Sequence, residues 1–197
     1  MAEHNSDTTT LNTLIATLLD SIDGYTKSAE DVRDPDLRQR FLDRARERQG
    51  VVGELQAAVA RCGGNPEDDG SLLAGAHRAF LNLKEAVTGT DDTAILNEVE
   101  RGEDYLKNKF EAALRMDDLA PIARNAIQSA WDSVKQGHDE MSALKHRREG
   151  AEDYAQRQAD SATVREQEYA SESDRLASER DFQANREPLR RDDEPLI

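Results

Sequence analysis

Residues 11–37 read LNTLIATLLDSIDGYTKSAEDVRDPDL. Within them Leu11, Ile15, Leu18, Ile22, Tyr25, Ala29 and Val32 recur at alternating steps of four and three. A helix turns once in about 3.6 residues, so these steps lay one apolar seam along a single helical face. The period predicts a helix from about Thr9 to Arg33. Asp34-Pro35 ends it. The Asp34 carboxylate can cap a following helix, and proline suits the first helical position because the N–H it lacks would have no partner there. A connection this short admits only an antiparallel hairpin.

The same period continues outward from that turn. Leu37, Phe41, Ala45, Arg48, Val52, Leu55, Val59 and Cys62 form the seam of a second helix from Pro35 to about Cys62. Gly63 provides a left-handed stop and Pro66 prevents continuation. Ser71 can cap a shorter helix running to Val87. Ile95, Leu96, Val99, Glu103, Leu106, Phe110 and Ala113 mark the next long helix, from about Asp92 to Met116. Ile127, Trp131, Val134, His138 and Met141 mark the last, which starts between Asp118 and Pro121 and runs to at least Arg148. Four long helices result, with about 30 residues between the second and third. A connection long enough to travel the whole bundle suits the ferritin-like order, which has one long crossover. The expected fold is therefore all-α: a ferritin-like four-helix bundle with a helical crossover between its second and third helices, plus a charged C-terminal tail.

Composition sets the domain limits. Residues 1–8 are polar and read as a disordered N-terminus, residues 9–147 as the bundle, and residues 148–197 as a charged tail, helical in part or disordered. In the tail Tyr154, Val164, Tyr169, Leu176, Phe182 and Leu189 keep no sustained heptad, and so little apolar surface does not offset the entropy of ordering. The 26 Lys and Arg are outnumbered by 41 Asp and Glu, a net charge of −15 that repels phosphate backbones and argues against a nucleic-acid partner. No apolar run reaches the roughly 18 residues of a membrane span, so no membrane partner is expected. Met1–Thr10 lacks the apolar core of a signal peptide, and a cytoplasmic location follows as the expectation. The single cysteine, Cys62, excludes an internal disulfide. There is no glycine-rich phosphate loop and no Gly-x-Ser-x-Gly, so nothing points to a hydrolase or nucleotide enzyme.

The informative residues are polar ones that fall on inward seams. Counting helix rise from the two turns places Tyr25, Arg44, Arg48, Glu100, Glu103 and His138 within about two turns of one another. One explanation is a structural polar core of Tyr25, Arg44 and Arg48 in which Arg48 and Glu103 pair and Tyr25 and His138 supply hydrogen bonds. The other is a transition-metal site using His138, Glu103 and Glu100, with Glu47 or Glu54 as a further ligand, since imidazole and carboxylate suit such ions. Two-metal bundles place Glu-x-x-His on each of two helices, and this chain has no Glu-x-x-His. Arg48 also puts positive charge where cations would have to sit. No cofactor is expected on the first explanation and a single transition-metal ion on the second.

Several stretches carry a resemblance: Leu11-Asn12-Thr13-Leu14-Ile15, Asp23-Gly24-Tyr25, Asp34-Pro35-Asp36-Leu37, Glu54-Leu55-Gln56, Gly63-Gly64-Asn65-Pro66, Gly70-Ser71-Leu72, Ile95 to Asp104, and Gln136-Gly137-His138-Asp139. Together they resemble an uncharacterised bacterial ferritin-like family, a domain of unknown function. Glu100-Arg101-Gly102-Glu103-Asp104 is the most specific piece. The resemblance covers about residues 9 to 147 and implies single-domain bundles loosely associated with stress, without a settled activity. The expected function is a non-enzymatic helical bundle, stress-associated or an interaction protein. The alternative is a ferritin-like metalloprotein. A homodimer and a protein partner for the C-terminal tail are the expected associations.

Overall fold

Asp34 opens the second helix as its position suggests. Its side chain accepts from the backbone N–H of Asp36 at 2.9 Å and of Leu37 at 3.3 Å, with Pro35 following as the first helical residue. The computed structural model describes residues 2–68 and 91–184, and all regular secondary structure among them is helical. The helices are α1 (Ala2–Asp31), α2 (Pro35–Arg61), α3 (Asp92–Leu114) and α4 (Pro121–Ala184). The first four-helix unit closes at Arg148 and a second unit holds the residues from Glu149 onward. The crossover helix expected over residues 71–87 lies outside the described residues. Among the described helices none is long and apolar enough to cross a membrane.

The helix ends inside the bundle are held by polar groups that satisfy otherwise orphaned backbone. Gly63, at φ 79°, closes α2: its N–H donates to Ala60 O, and the Gly64 N–H donates to Val59 O, both at 3.0 Å. This paired arrangement stops a helix with a left-handed residue that only glycine adopts without strain. The Arg38 guanidinium donates to Ala29 O at 3.0 Å and Val32 O at 2.7 Å, and so caps the end of α1. Both oxygens of Asp92 accept from the α1–α2 turn, from Arg33 N at 2.8 Å and Asp34 N at 2.9 Å. The start of α3 is thereby fixed to the first hairpin.

At the opposite end the chain differs from expectation. Residues 2–8 form the first turns of α1 rather than a disordered leader. Asp7 is buried, and its Oδ1 accepts from Ala120 N at 3.0 Å, tying α1 to the α3–α4 connection. The polar sequence of this segment hid the contact, because the partner is a backbone N–H 113 positions away. Asn12 fastens the exit of α2 in the same way, donating to Asn65 O at 2.8 Å and accepting from Glu67 N at 3.0 Å.

The bundle interior is two apolar clusters, one above the other. The lower holds Leu11–Leu18 of α1, Val51–Val59 of α2, Leu106–Ala113 of α3 and Ala123–Val134 of α4. The upper holds Tyr25–Val32, Leu37–Ala45, Ile95–Val99 and Met141. Ile22 packs against both. The seam positions between the clusters are Ser21, Arg48, Glu103 and Gly137, one from each helix. A polar layer therefore divides the core at mid-height.

In the second unit the described part is helical to Ala184, and every side chain from Glu149 to Phe182 is exposed. The described part of the tail is one solvated helix, held locally by bonds such as Gln156 Nε2 to Asp160 Oδ1 at 2.8 Å.

The packing of Thr8 is testable at Gly64. A Cβ built there would sit 2.5 Å from Thr8 Cγ2 and 2.9 Å from Thr8 Cβ. Gly64→Ala is expected to destabilise the bundle by about 1–3 kcal/mol through overpacking, with Thr8→Ala recovering part of the loss in the double variant. A neutral or stabilising Gly64→Ala in chemical denaturation would show that Thr8 does not pack there.

Candidate functional site

The polar layer is built around one ion pair. Arg48 Nη2 donates to Glu103 Oε2 at 2.8 Å, with the two side chains 0% and 1% exposed. Arg48 reaches the centre because its α2 position continues the seam of Phe41, Ala45, Val52 and Leu55. Glu103 does the same on α3 between Val99 and Leu106. The guanidinium also donates through Nη1 to Ser133 Oγ at 3.1 Å, while Ser21 Oγ donates to Glu103 Oε1 at 3.5 Å. Space for the pair comes from α4. A Cβ on Gly137 would lie 2.4 Å from Arg48 Nη2 and 3.0 Å from Glu103 Oε2. A glycine inside a helix costs about 0.5–1 kcal/mol relative to alanine, and here it admits the guanidinium against the α4 backbone.

From the pair a chain of hydrogen bonds runs outward between α2 and α4. Ser133 Oγ donates to Glu47 Oε1 at 2.6 Å. Glu47 pairs with Arg44, and Arg44 pairs with Glu140. Glu140 accepts from Arg40 Nη1 at 2.7 Å at the exposed end. The path leads from the fully buried Arg48, 0% exposed, to the half-exposed Arg40, 48% exposed.

The electrostatics follow burial. Loss of solvent pushes the Glu103 carboxyl above its usual range, and the Arg48 charge holds that rise back. Burial likewise drives the Tyr25 phenol well above its usual value, assisted by the negative charge of Glu103. The Tyr25 hydroxyl approaches that carboxylate at a geometry too poor for a hydrogen bond. Between them, lined also by Ser21, Gly24, Val99 and Gly102, is a cavity of about 10 Å³. That is space for one water at most. At Glu140 burial alone would raise the carboxyl, but hydrogen bonds from Arg44 and Arg40 outweigh it and hold it below the usual range.

The candidate residues separate into distinct places. Tyr25, Arg48 and Glu103 meet in the layer. Arg44 stands on the α2–α4 flank within the outward chain. Glu100 accepts from Lys145 Nζ at 3.0 Å. His138 is one position off the inward seam, where Gly137 stands instead. Its Nε2 lies 3.0 Å from Asp104 Oδ1 and its Nδ1 3.0 Å from Asp139 Oδ1, with the ring 14% exposed. His138, Glu103 and Glu100 thus have three separate sets of partners. Among the described residues no group of three or more His, Cys, Asp or Glu side chains is arranged to hold a metal ion. The donor set of the layer, one carboxylate already bound to a guanidinium, does not fit the two-metal centre of ferritin-like bundles. Ser21 and Ser133 carry no signal in the sequence, Glu47 stands there only as a further candidate ligand, and Gly137 only within Gln136-Gly137-His138-Asp139. That glycine stands inside a helix, midway between Val134 and Met141.

Removing one partner of a buried pair strands the other charge, so Arg48→Met or Glu103→Leu alone should lose about 3–5 kcal/mol. The double variant should lose much less, and a denaturant double-mutant cycle reads the difference. Losses under about 1 kcal/mol would mean that both groups reach solvent. A carboxyl-detected NMR titration should place Glu103 above the ordinary glutamate value and Glu140 below it. The stability that Glu103 contributes is then fully present below the ordinary value and lost as pH rises through its raised one. The contribution of Glu140 has the opposite sense, present above the ordinary value and lost as pH falls through its lowered one. Coincident titrations would refute the assignment.

Solved structures share the fold. A two-domain protein from Anabaena variabilis, with DJ-1/ThiJ/PfpI-like and ferritin-like domains, superposes with a TM-score of 0.59 at 19% identity over 74% of this chain. The match spans 40% of that protein's length. A Dps1 variant from Mycobacterium smegmatis superposes with a TM-score of 0.60 at 12% identity, covering 73% of this chain and 97% of the other. Identities this low establish the ferritin-like architecture and no chemistry. No curated protein matches the sequence. The family model for the domain of unknown function DUF2383 matches residues 7–116, more than half of the chain, and the chain belongs to that family.

Proposed function

We propose that this protein is a non-enzymatic ferritin-like bundle that works by binding other protein chains in the cytoplasm, in the stress-associated setting that the family resemblance suggests. The observation that carries this reading is the Arg48 guanidinium, buried beside Glu103 at mid-height in the core. A fixed cation on that carboxylate opposes the binding of a metal cation by like-charge repulsion. The adjoining cavity of about 10 Å³ holds no substrate larger than water. The polar layer then serves register: it lets α1 to α4 pair their buried polar groups in only one vertical alignment. Partners belong to the surface, whose net charge of −15 disfavours nucleic acids and anionic membranes and leaves proteins as the fitting class.

Elemental analysis of untagged protein purified without chelators tests the reading. Transition metal well below one equivalent per chain is expected, with no uptake on titration with Fe²⁺, Mn²⁺ or Zn²⁺. Stoichiometric uptake that disappears in Glu103→Gln or His138→Ala would overturn it in favour of a ferritin-like metalloprotein.

A further inference from the structure

Beyond Arg148 the helix carries five large apolar side chains that are widely exposed: Tyr154 66%, Val164 53%, Tyr169 82%, Leu176 44% and Phe182 61%. Their spacing is no heptad, yet at about 3.6 residues per turn they fall within an arc of roughly 140°. The charges segregate with them. Arg157, Arg165, Arg175 and Arg180 are the four basic residues between Glu149 and Ala184, and all lie on that same side. Glu168, Glu172 and Glu179 lie there too, which makes this face nearly neutral with both signs present. Asp153 lies at one edge of this face, as Arg180 does at the other, and the opposite side carries six acids and no basic residue: Glu149, Glu152, Asp160, Glu166, Asp174 and Asp181. The helix therefore has a wholly acidic back and a front that mixes apolar side chains with both charges.

We propose that this front pairs with the same segment of a second copy of the chain, antiparallel, about a two-fold axis near Glu168. The register follows from charge. In that arrangement Arg157 faces Glu179, Arg165 faces Glu172, and Tyr154 packs on Phe182. Each contact occurs twice, as a two-fold interface requires. A parallel pair in register would instead set every Arg and every Glu against its own copy, and like charges in contact are destabilising. The acidic backs point outward in the antiparallel pair, where their repulsion is screened by salt. One like-charge contact remains, Glu168 against Glu168 at the axis. This inference rests on the reading of the protein as one that binds other chains, and it names the partner as a second copy.

Sedimentation velocity of the full-length protein over a concentration series decides the matter, with circular dichroism to confirm that each variant stays helical. A monomer–dimer equilibrium is expected. Reversal of one charge, Arg157→Glu or Glu179→Arg, should raise the dimer dissociation constant about tenfold, from attraction turned into repulsion at two symmetric sites. The double reversal Arg157→Glu with Glu179→Arg should restore it, and Glu168→Gln should tighten the dimer. A chain that stays monomeric at every concentration would overturn the proposal. So would a dimer indifferent to Tyr154→Ser with Phe182→Ser, or single reversals that the double reversal fails to rescue. Metal content plays no part in these outcomes, so the pairing can fail while the non-enzymatic reading stands, and the reverse.

Discussion

The Arg48–Glu103 ion pair constrains the bundle more than any other contact. Two charges withdrawn from water are tolerated only with close geometry and further hydrogen bonds on the remaining donors and acceptors. The surrounding residues meet most of that condition, and only the Arg48 Nε of the pair stays buried without a hydrogen-bond partner. Gly137 removes a side chain from α4 so that the guanidinium can lie against its backbone, Ser133 takes a second donor of Arg48, and Ser21 donates weakly to Glu103. These groups come from all four helices. A slide of any helix by one turn would leave a buried charge or hydroxyl opposite a hydrocarbon. The apolar clusters above and below are rich in Leu, Ile, Val and Ala, whose packing discriminates poorly between such alignments.

The hydrogen-bond chain from Ser133 through Glu47, Arg44 and Glu140 to Arg40 extends this constraint to the surface. It couples α2 and α4 along one flank, while Asp92 and Asp34 join the α1–α2 turn to the start of α3 and to Arg148, midway along α4. The charges of the layer thus pair with one another, while Tyr25 Oη and Arg48 Nε stay buried without a hydrogen-bond partner. That is consistent with a protein whose contacts with other molecules are made outside the core, and the segregated charges after Arg148 offer one such surface.

Much of the polar layer was legible beforehand. Arg48 and Glu103 interrupt otherwise apolar seams on α2 and α3, and two charged residues at one height in a core must find each other. Tyr25 could be placed for the same reason. On α4 the inward seam passes through Gly137 rather than the neighbouring His138. Positions 137 and 138 are both compatible with a helical period between Val134 and Met141, and a glycine adds nothing to an apolar count. The choice depends on what fills the space opposite, which is the Arg48 head group. Ser21 and Ser133 were invisible because a serine on a helix has no preferred environment until its neighbours across the interface are known. The early start of α1 went unseen because the contact between Asp7 and Ala120 joins distant parts of the chain.

By itself the sequence determined the number of long helices, their seams, the hairpin at Asp34-Pro35 and the stop at Gly63, since these rest on local periodicity and backbone chemistry within a few residues. It also determined that charges enter the core, because the seams include them. Only the tertiary structure decided which polar groups meet. Glu103 binds Arg48 rather than His138, Glu100 turns to Lys145, and His138 lies between Asp104 and Asp139. The physical reason is angular: a shift of one residue turns a side chain by about 100° around its helix, enough to carry it from the centre of a bundle to its flank.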